Sequence, residues 1–147
     1  MEDEMRRGFY LENELNRVMT WLNSAGIHAH KNHARRTEAG IWIEGEPFDY
    51  EVFSKGTLYC FDAKECAGKR WNLSNAKPHQ LNNLMVCAQN GAQAFFLVLF
   101  TETRKLKRFN AELVCNALAA GQKSFTADEG ADWDWTELSR SRKRSAS

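Results

Sequence analysis

Asp49, Asp62 and Lys64 are the residues whose types and spacing could do chemistry on a phosphate. Asp49 follows Pro47 and Phe48, and Asp62-Ala63-Lys64 closes a second apolar run. On an extended strand side chains alternate, so Asp62 and Lys64 share one face while Phe61 and Ala63 take the other. Two carboxylates beside one ammonium can hold a hard divalent cation and keep positive charge near a phosphate under attack. A phosphodiester resists hydrolysis because its charge repels the nucleophile and its alkoxide leaves poorly. Catalysis therefore needs positive charge at the developing oxyanions and an aligned water. Magnesium takes oxygen ligands and keeps several waters, so two or three carboxylates suffice. Lys64 would either stabilise transition-state charge or orient and deprotonate the attacking water. The bland alternative is a surface cross-sheet ion pair of little worth. The place of Asp62 and Lys64 at the end of an apolar strand, with Asp49 beside them, argues for a site and for a metal-dependent nuclease.

The elements that must position these residues can be read from periodicity. Leu11, Leu15, Val18, Met19 and Leu22 mark one face of a helix from about Gly8 to Ser24, ended by Gly26. Ile27 to His30 begins a strand, Lys31 to Gly40 is a polar, basic loop, and Ile41 to Ile43 is a short strand. Phe48 to Phe53 and Leu58 to Lys64 form a hairpin around Ser54, Lys55, Gly56 and Thr57. Ala67 to Lys77 reads as an irregular connection. Pro78 opens a second helix reaching Asn90, with Leu81, Leu84, Met85 and Ala88 inward. Ala94 to Phe100 is the most continuously apolar segment and suits a central strand buried on both faces. Asn110 caps a third helix with Leu113, Val114, Ala117 and Leu118 inward and Gly121 beyond its end. Residues 1–138 are expected to form one domain, with 31–40 a short projecting loop or stalk remnant and 139–147 a basic, flexible tail.

A chain of 147 residues can bury roughly 70% of its unfolded surface in one core. Its 43% hydrophobic and 27% charged residues exclude wholesale disorder. The net charge of +1 decides nothing about partners. Basic clusters at His28 to Arg36, Lys69 to Lys77 and Arg104 to Arg108 allow local positive patches. No apolar run approaches a membrane span and no signal pattern opens the chain, so a cytoplasmic protein without membrane partners is expected. Cys60, Cys66, Cys87 and Cys115 lack paired spacing and read as reduced thiols; a zinc site with His28, His30 and His33 fits neither spacing nor cysteine number.

Pro47-Phe48-Asp49 followed by Phe61-Asp62-Ala63-Lys64 resembles the motif of the PD-(D/E)XK nuclease superfamily. Gly8, Leu11, Glu12 and Leu15, then Asp49, Phe61 to Glu65, His79 and Gln80, the Gly91 to Phe100 strand, and Gly121, Lys123 and Ser124 together resemble RecU-type Holliday junction resolvases. The resemblance runs from about Gly8 to Asp128, and its shared order makes short motifs specific. It implies an α/β, restriction-endonuclease-like core with a mixed central sheet flanked by helices. It also implies a magnesium-dependent homodimer, with manganese able to substitute, that makes paired incisions in a four-way DNA junction and works beside recombination proteins.

Residue by residue, Glu12 matches the family's helix-borne acid, Asp49 and Asp62 its metal-binding acids, Lys64 its catalytic lysine and Gln80 a helix polar group near the site. The lesser alternatives are that Glu12 merely faces water and that Gln80 simply hydrogen-bonds the sheet or caps a loop. Glu65 lies on the opposite strand face, with a salt-bridge role as good a reading as catalysis. The family's projecting stalk is shortened here, between His30 and Pro47. His33, Arg35 and Arg36 can still occupy that position and contact DNA, as can Lys69, Arg70 and Lys77, although charge runs are often merely solvated. Trp133 and Trp135 are better read as packing the C-terminal segment than as stacking on bases. The alternatives to junction resolution are cleavage of linear, flap or end-containing DNA, and a noncatalytic DNA-binding recombination module.

Overall fold

The computed structural model describes residues 9–32, 35–36, 42–43 and 48–139. Helix α1 (Phe9–Ser24) buries Leu11, Leu15, Val18, Met19 and Leu22, the stripe its sequence period demands. Gly26 ends it with φ +84°, a left-handed conformation that costs glycine little. Strand β1 (His28–Lys31) follows and pairs antiparallel with β4 (Tyr50–Ser54). Between them β2 (Arg35–Arg36) and β3 (Trp42–Ile43) form an antiparallel pair, so Arg35 and Arg36 of the expected loop lie in a strand.

Strand β5 (Thr57–Cys66) pairs antiparallel with β4 and parallel with β7 (Gln93–Phe100), with α2 (Pro78–Gln89) as the crossover. β7 then pairs antiparallel with β8 (Lys105–Asn110), which pairs with β10 (Ala131–Asp132). The resulting mixed sheet has the order β1-β4-β5-β7-β8-β10. Ala94, Phe95, Phe96, Leu97, Val98 and Phe100 of β7 are buried, as befits a strand covered on both faces.

The two faces hold separate cores. On one, α1 packs with Tyr50, Val52, Phe61, Phe95, Leu97 and, from the C-terminal segment, Trp133 and Leu138. On the other, α2 and α3 (Ala111–Ala119) cover Cys60, Phe96, Val98, Phe100 and Phe109. The C-terminal segment ends in α4 (Thr136–Ser139) and is tied down by a hydrogen bond from Ser54 Oγ to the Leu138 carbonyl. Trp133 meets Phe95 at 5.1 Å and Trp135 at 5.6 Å between ring centroids, so both tryptophans pack rather than project.

Four expectations need correction. Residues 67–77 are not irregular throughout: β6 (Arg70–Asn72) pairs with β9 (Ser124–Thr126), a 3-10 turn follows at Leu73–Asn75, and Trp71 and Leu73 enter the core. A three-residue strand is too short to show a period. The Arg104 to Arg108 cluster is largely β8, where Lys107 is buried against Asp132 at 2.7 Å and Arg108 lies 4.3 Å from the Phe95 ring centre. Arginine and lysine stems can cover apolar surface while their heads find partners. In α3 the buried residues are Ala111, Val114 and Ala117, whereas Leu113 and Leu118 are exposed. Asn110 stands at its N-cap without a side-chain capping bond, its Oδ1 accepting from Arg108 Nε instead. The cysteines are free thiols, as expected.

Candidate active site

The antiparallel register that sets Tyr50 opposite Phe61 puts Asp49, just before β4, opposite Asp62. The two acids interlock through the backbone: the Asp49 amide donates to Asp62 Oδ1 at 2.8 Å and the Ala63 amide donates to Asp49 Oδ2 at 3.2 Å. Asn32, which no pattern in the sequence marks, fixes this entry into β4. Its amide donates to the Asp49 carbonyl at 2.7 Å and its Nδ2 to the Phe48 carbonyl at 2.8 Å. Phe48 is buried beneath, so the segment is held by packing as well.

Asp62 and Lys64 point to the α2 side of β5, the face shared with Cys60 and Cys66. Lys64 Nζ donates to Gln80 Oε1 at 3.0 Å, and the same oxygen accepts from the Lys77 amide at 3.3 Å. Gln80 stands in the first turn of α2, which Pro78 opens. One side chain thus satisfies an open helix N-terminus and orients the lysine.

Asp62 is fully buried, and its Oδ2 has no hydrogen-bond partner. Burial first, and the neighbouring Asp49 carboxylate second, push its carboxyl up to about 7, against the opposing pull of the Asp49 amide and Lys64. Burial likewise lowers the Lys64 ammonium, while Asp62 and Asp49 work to raise it and Lys77 adds to the lowering. A buried carboxylate oxygen without a donor is costly unless a proton or a cation meets it. Hard oxygen donors and an orphaned acidic atom fit a magnesium-type ion.

The other expected residues are distributed around this centre. Glu12, in the first turn of α1, holds Lys31 Nζ at 2.6 Å. Among the described residues no three acids, histidines or cysteines gather where one metal ion could be held. The acids brought together are therefore Asp49 and Asp62, with Glu12 near the same phenol: Tyr50 titrates upward through burial, then Glu12, then Asp49. Glu65 turns to α1, where its Oε2 accepts from the Leu11 amide at 2.6 Å. This anchors the helix turn that carries Glu12, a role no sequence pattern announces.

Lys77 is exposed at the head of α2 and close enough to act on Lys64. Lys69 and Arg70 are exposed just past β5, with Arg70 Nε donating to Ser124 Oγ at 2.8 Å. Arg35 and Arg36 lie in the β2–β3 pair. His33 falls outside the described residues, as does the tail after Ser139.

The sequence model of the family described as RecU, Recombination protein U, matches residues 6–139. A "Holliday junction resolvase RecU" of Pediococcus pentosaceus is 28% identical over 117 residues, which are 69% of this chain and 58% of that protein. Another from Ligilactobacillus salivarius is 29% identical over 124 residues, 74% of this chain and 58% of that protein. The chain thus spans 58% of the length of each of these relatives. Among solved structures, the Holliday junction resolvase Hjc of Archaeoglobus fulgidus superposes with a TM-score of 0.53 at 14% identity, covering 80% of this chain and 91% of that one. That likeness shows the fold, the mixed sheet flanked by helices expected of a restriction-endonuclease-like core. Because the family match runs from the start of α1, through the Asp49 to Lys64 hairpin and α2, to the C-terminal segment, the chain belongs to the RecU family.

Proposed function

We propose that this protein is a magnesium-dependent endonuclease that resolves four-way DNA junctions by paired strand incision, as a homodimer in the bacterial cytoplasm. The observation that carries the reading is the interlocked Asp49–Asp62 pair, with its buried unpartnered oxygen, beside the Lys64–Gln80 contact. Asp62 and Asp49 would hold the ion, with Glu12 as third acid. Magnesium, when bound, supplies Lewis acidity at the phosphate oxygens, and manganese would do the same. Asp49 and Asp62 hold the strand ends in register through each other's backbone, so the acids need little reorganisation when substrate arrives. Lys64 holds or moves a proton at Nζ: burial favours its neutral form and the two carboxylates its charged form, which leaves it poised for either duty. Gln80 keeps that amine in place from α2. Two copies related by a twofold axis would present two such centres to opposite strands, giving paired cuts.

A second reading, cleavage of flaps, ends or linear duplex, is favoured by the sequence between His30 and Pro47, which is shorter than the projecting stalk of the family it resembles. Labelled four-way junction, flap and linear duplex incubated with magnesium or chelator separate the two. The junction should be cut symmetrically in magnesium only, and Lys64→Ala should lower the rate by on the order of 10²-fold or more. Equal cutting of linear duplex would favour the second reading. No cutting of any substrate would end both.

A further inference from the structure

The third acid of the proposed site is already paired. Glu12 Oε1 and Lys31 Nζ are 2.6 Å apart, with the lysine side chain 20% exposed and the glutamate 43%. Lys31 is held from several sides. It ends β1 opposite Tyr50, its ammonium lies 5.7 Å from the centre of the Tyr50 ring, and the next residue, Asn32, is bonded to Phe48 and Asp49. Glu12 is equally constrained, because Glu65 grips the Leu11 amide one residue before it. Because Lys31 pairs with Tyr50 and the following Asn32 amide donates to the Asp49 carbonyl at 2.7 Å, the pair stands one residue from the strand entry that carries Asp49. Yet the three acids do not gather into one cluster.

We propose that Lys31 is a positioning residue, an internal counter-cation that holds Glu12 away from Asp49 and Asp62 and competes with the divalent ion for it. The proposal rests on the reading of Asp49 and Asp62 as metal-holding acids. Its physical basis is simple exchange. A carboxylate committed to an ammonium must give up that contact before a dication can use it, and the dication must also overcome repulsion from the nearby ammonium. A partly exposed ion pair contributes little to stability, so the latch is weak enough for a bound dication to open. Tyr50 and Asn32 keep Lys31 from swinging far. Once displaced, its ammonium stays beside the site, where a phosphate oxygen is its natural next partner.

The test is manganese binding to the full chain, followed by electron paramagnetic resonance and by calorimetry with magnesium. Lys31→Met keeps most of the apolar stem and removes the charge. It should bind either ion about two- to five-fold more tightly, the range an exposed ion pair spans, while Lys31→Arg should bind as the parent does. In a Glu12→Gln background the advantage of Lys31→Met should disappear, because the competed carboxylate is gone. Unchanged or weaker binding by Lys31→Met, with its circular dichroism and Tm intact, would overturn the proposal, as would an advantage that persists beside Glu12→Gln. Asp62→Asn is the separate control. If it binds manganese like the parent, the metal-site reading itself fails, whatever Lys31 does.

Discussion

Asp62 is the residue on which the proposed chemistry turns, and its burial makes a prediction that needs no substrate. Its carboxyl titrates near 7 in the folded chain against an ordinary value of 3.8. Below about pH 4 both folded and unfolded forms hold the proton, and Asp62 costs nothing. As pH rises the unfolded chain releases its proton first, so stability falls until the folded carboxyl ionises near 7, and stays lowered above it. Chelated protein should therefore lose stability between about pH 4 and 7, by up to about 4 kcal/mol from this group. Urea unfolding across that range checks it. Magnesium should restore stability most above pH 7, where the carboxylate is free to bind it. Lys64 shifts the opposite way and itself feels Asp62, so the difference between parent and Asp62→Asn reports the acid together with its pull on that ammonium. A parent profile that tracks Asp62→Asn throughout would refute the assignment.

The elements matter because the side chains of the candidate site come from three of them. The entry to β4 gives Asp49, β5 gives Asp62 in antiparallel register with it and adds Lys64, and α2 brings Gln80 across the crossover. Far from this centre, the turn before β10 is controlled by a steric limit. A Cβ at Gly130 would lie 2.7 Å from the Phe109 ring, which is itself buried and stacked on Phe125 at 5.0 Å. Gly130→Ala must displace that ring or the backbone, and should cost about 1–3 kcal/mol, read from the urea midpoint. Because β10 lies at the sheet edge away from β4 and β5, metal affinity should not change. A midpoint equal to the parent's would show that the turn yields freely.

At the scale of the molecule, a net charge of +1 means that any affinity for nucleic acid must come from local patches. Lys77 beside the site and Lys69 past β5 are exposed cations on the proposed path of the backbone. Replacing both by alanine should weaken junction binding and flatten the plot of log affinity against log salt by about one unit for each phosphate left without its cation. Titration at several salt concentrations measures it, and an unaltered slope would exclude them from the interface. No described helix is long and apolar enough to cross a membrane.

Much of this organisation was legible in one dimension. The period of Leu11, Leu15, Val18, Met19 and Leu22, the apolar run of β7, Pro78 at a helix start and the pairing of Asp49 with Asp62 and Lys64 are local signals, carried by side-chain alternation and backbone preference. β6, β8 and the buried setting of Lys107 were not legible, because short strands have no period and a charged residue in the interior depends on a partner distant in sequence. The same holds for function. Residue types alone pointed to the groups proposed to hold a cation and serve a phosphate. Only the fold decided that Asp62 is wholly buried with an unpartnered oxygen, that Glu65 anchors α1 rather than joining the acids, and that Lys31 takes Glu12. Burial and pairing are properties of neighbours in space, and neighbours in space are what a sequence, read along its length, does not contain.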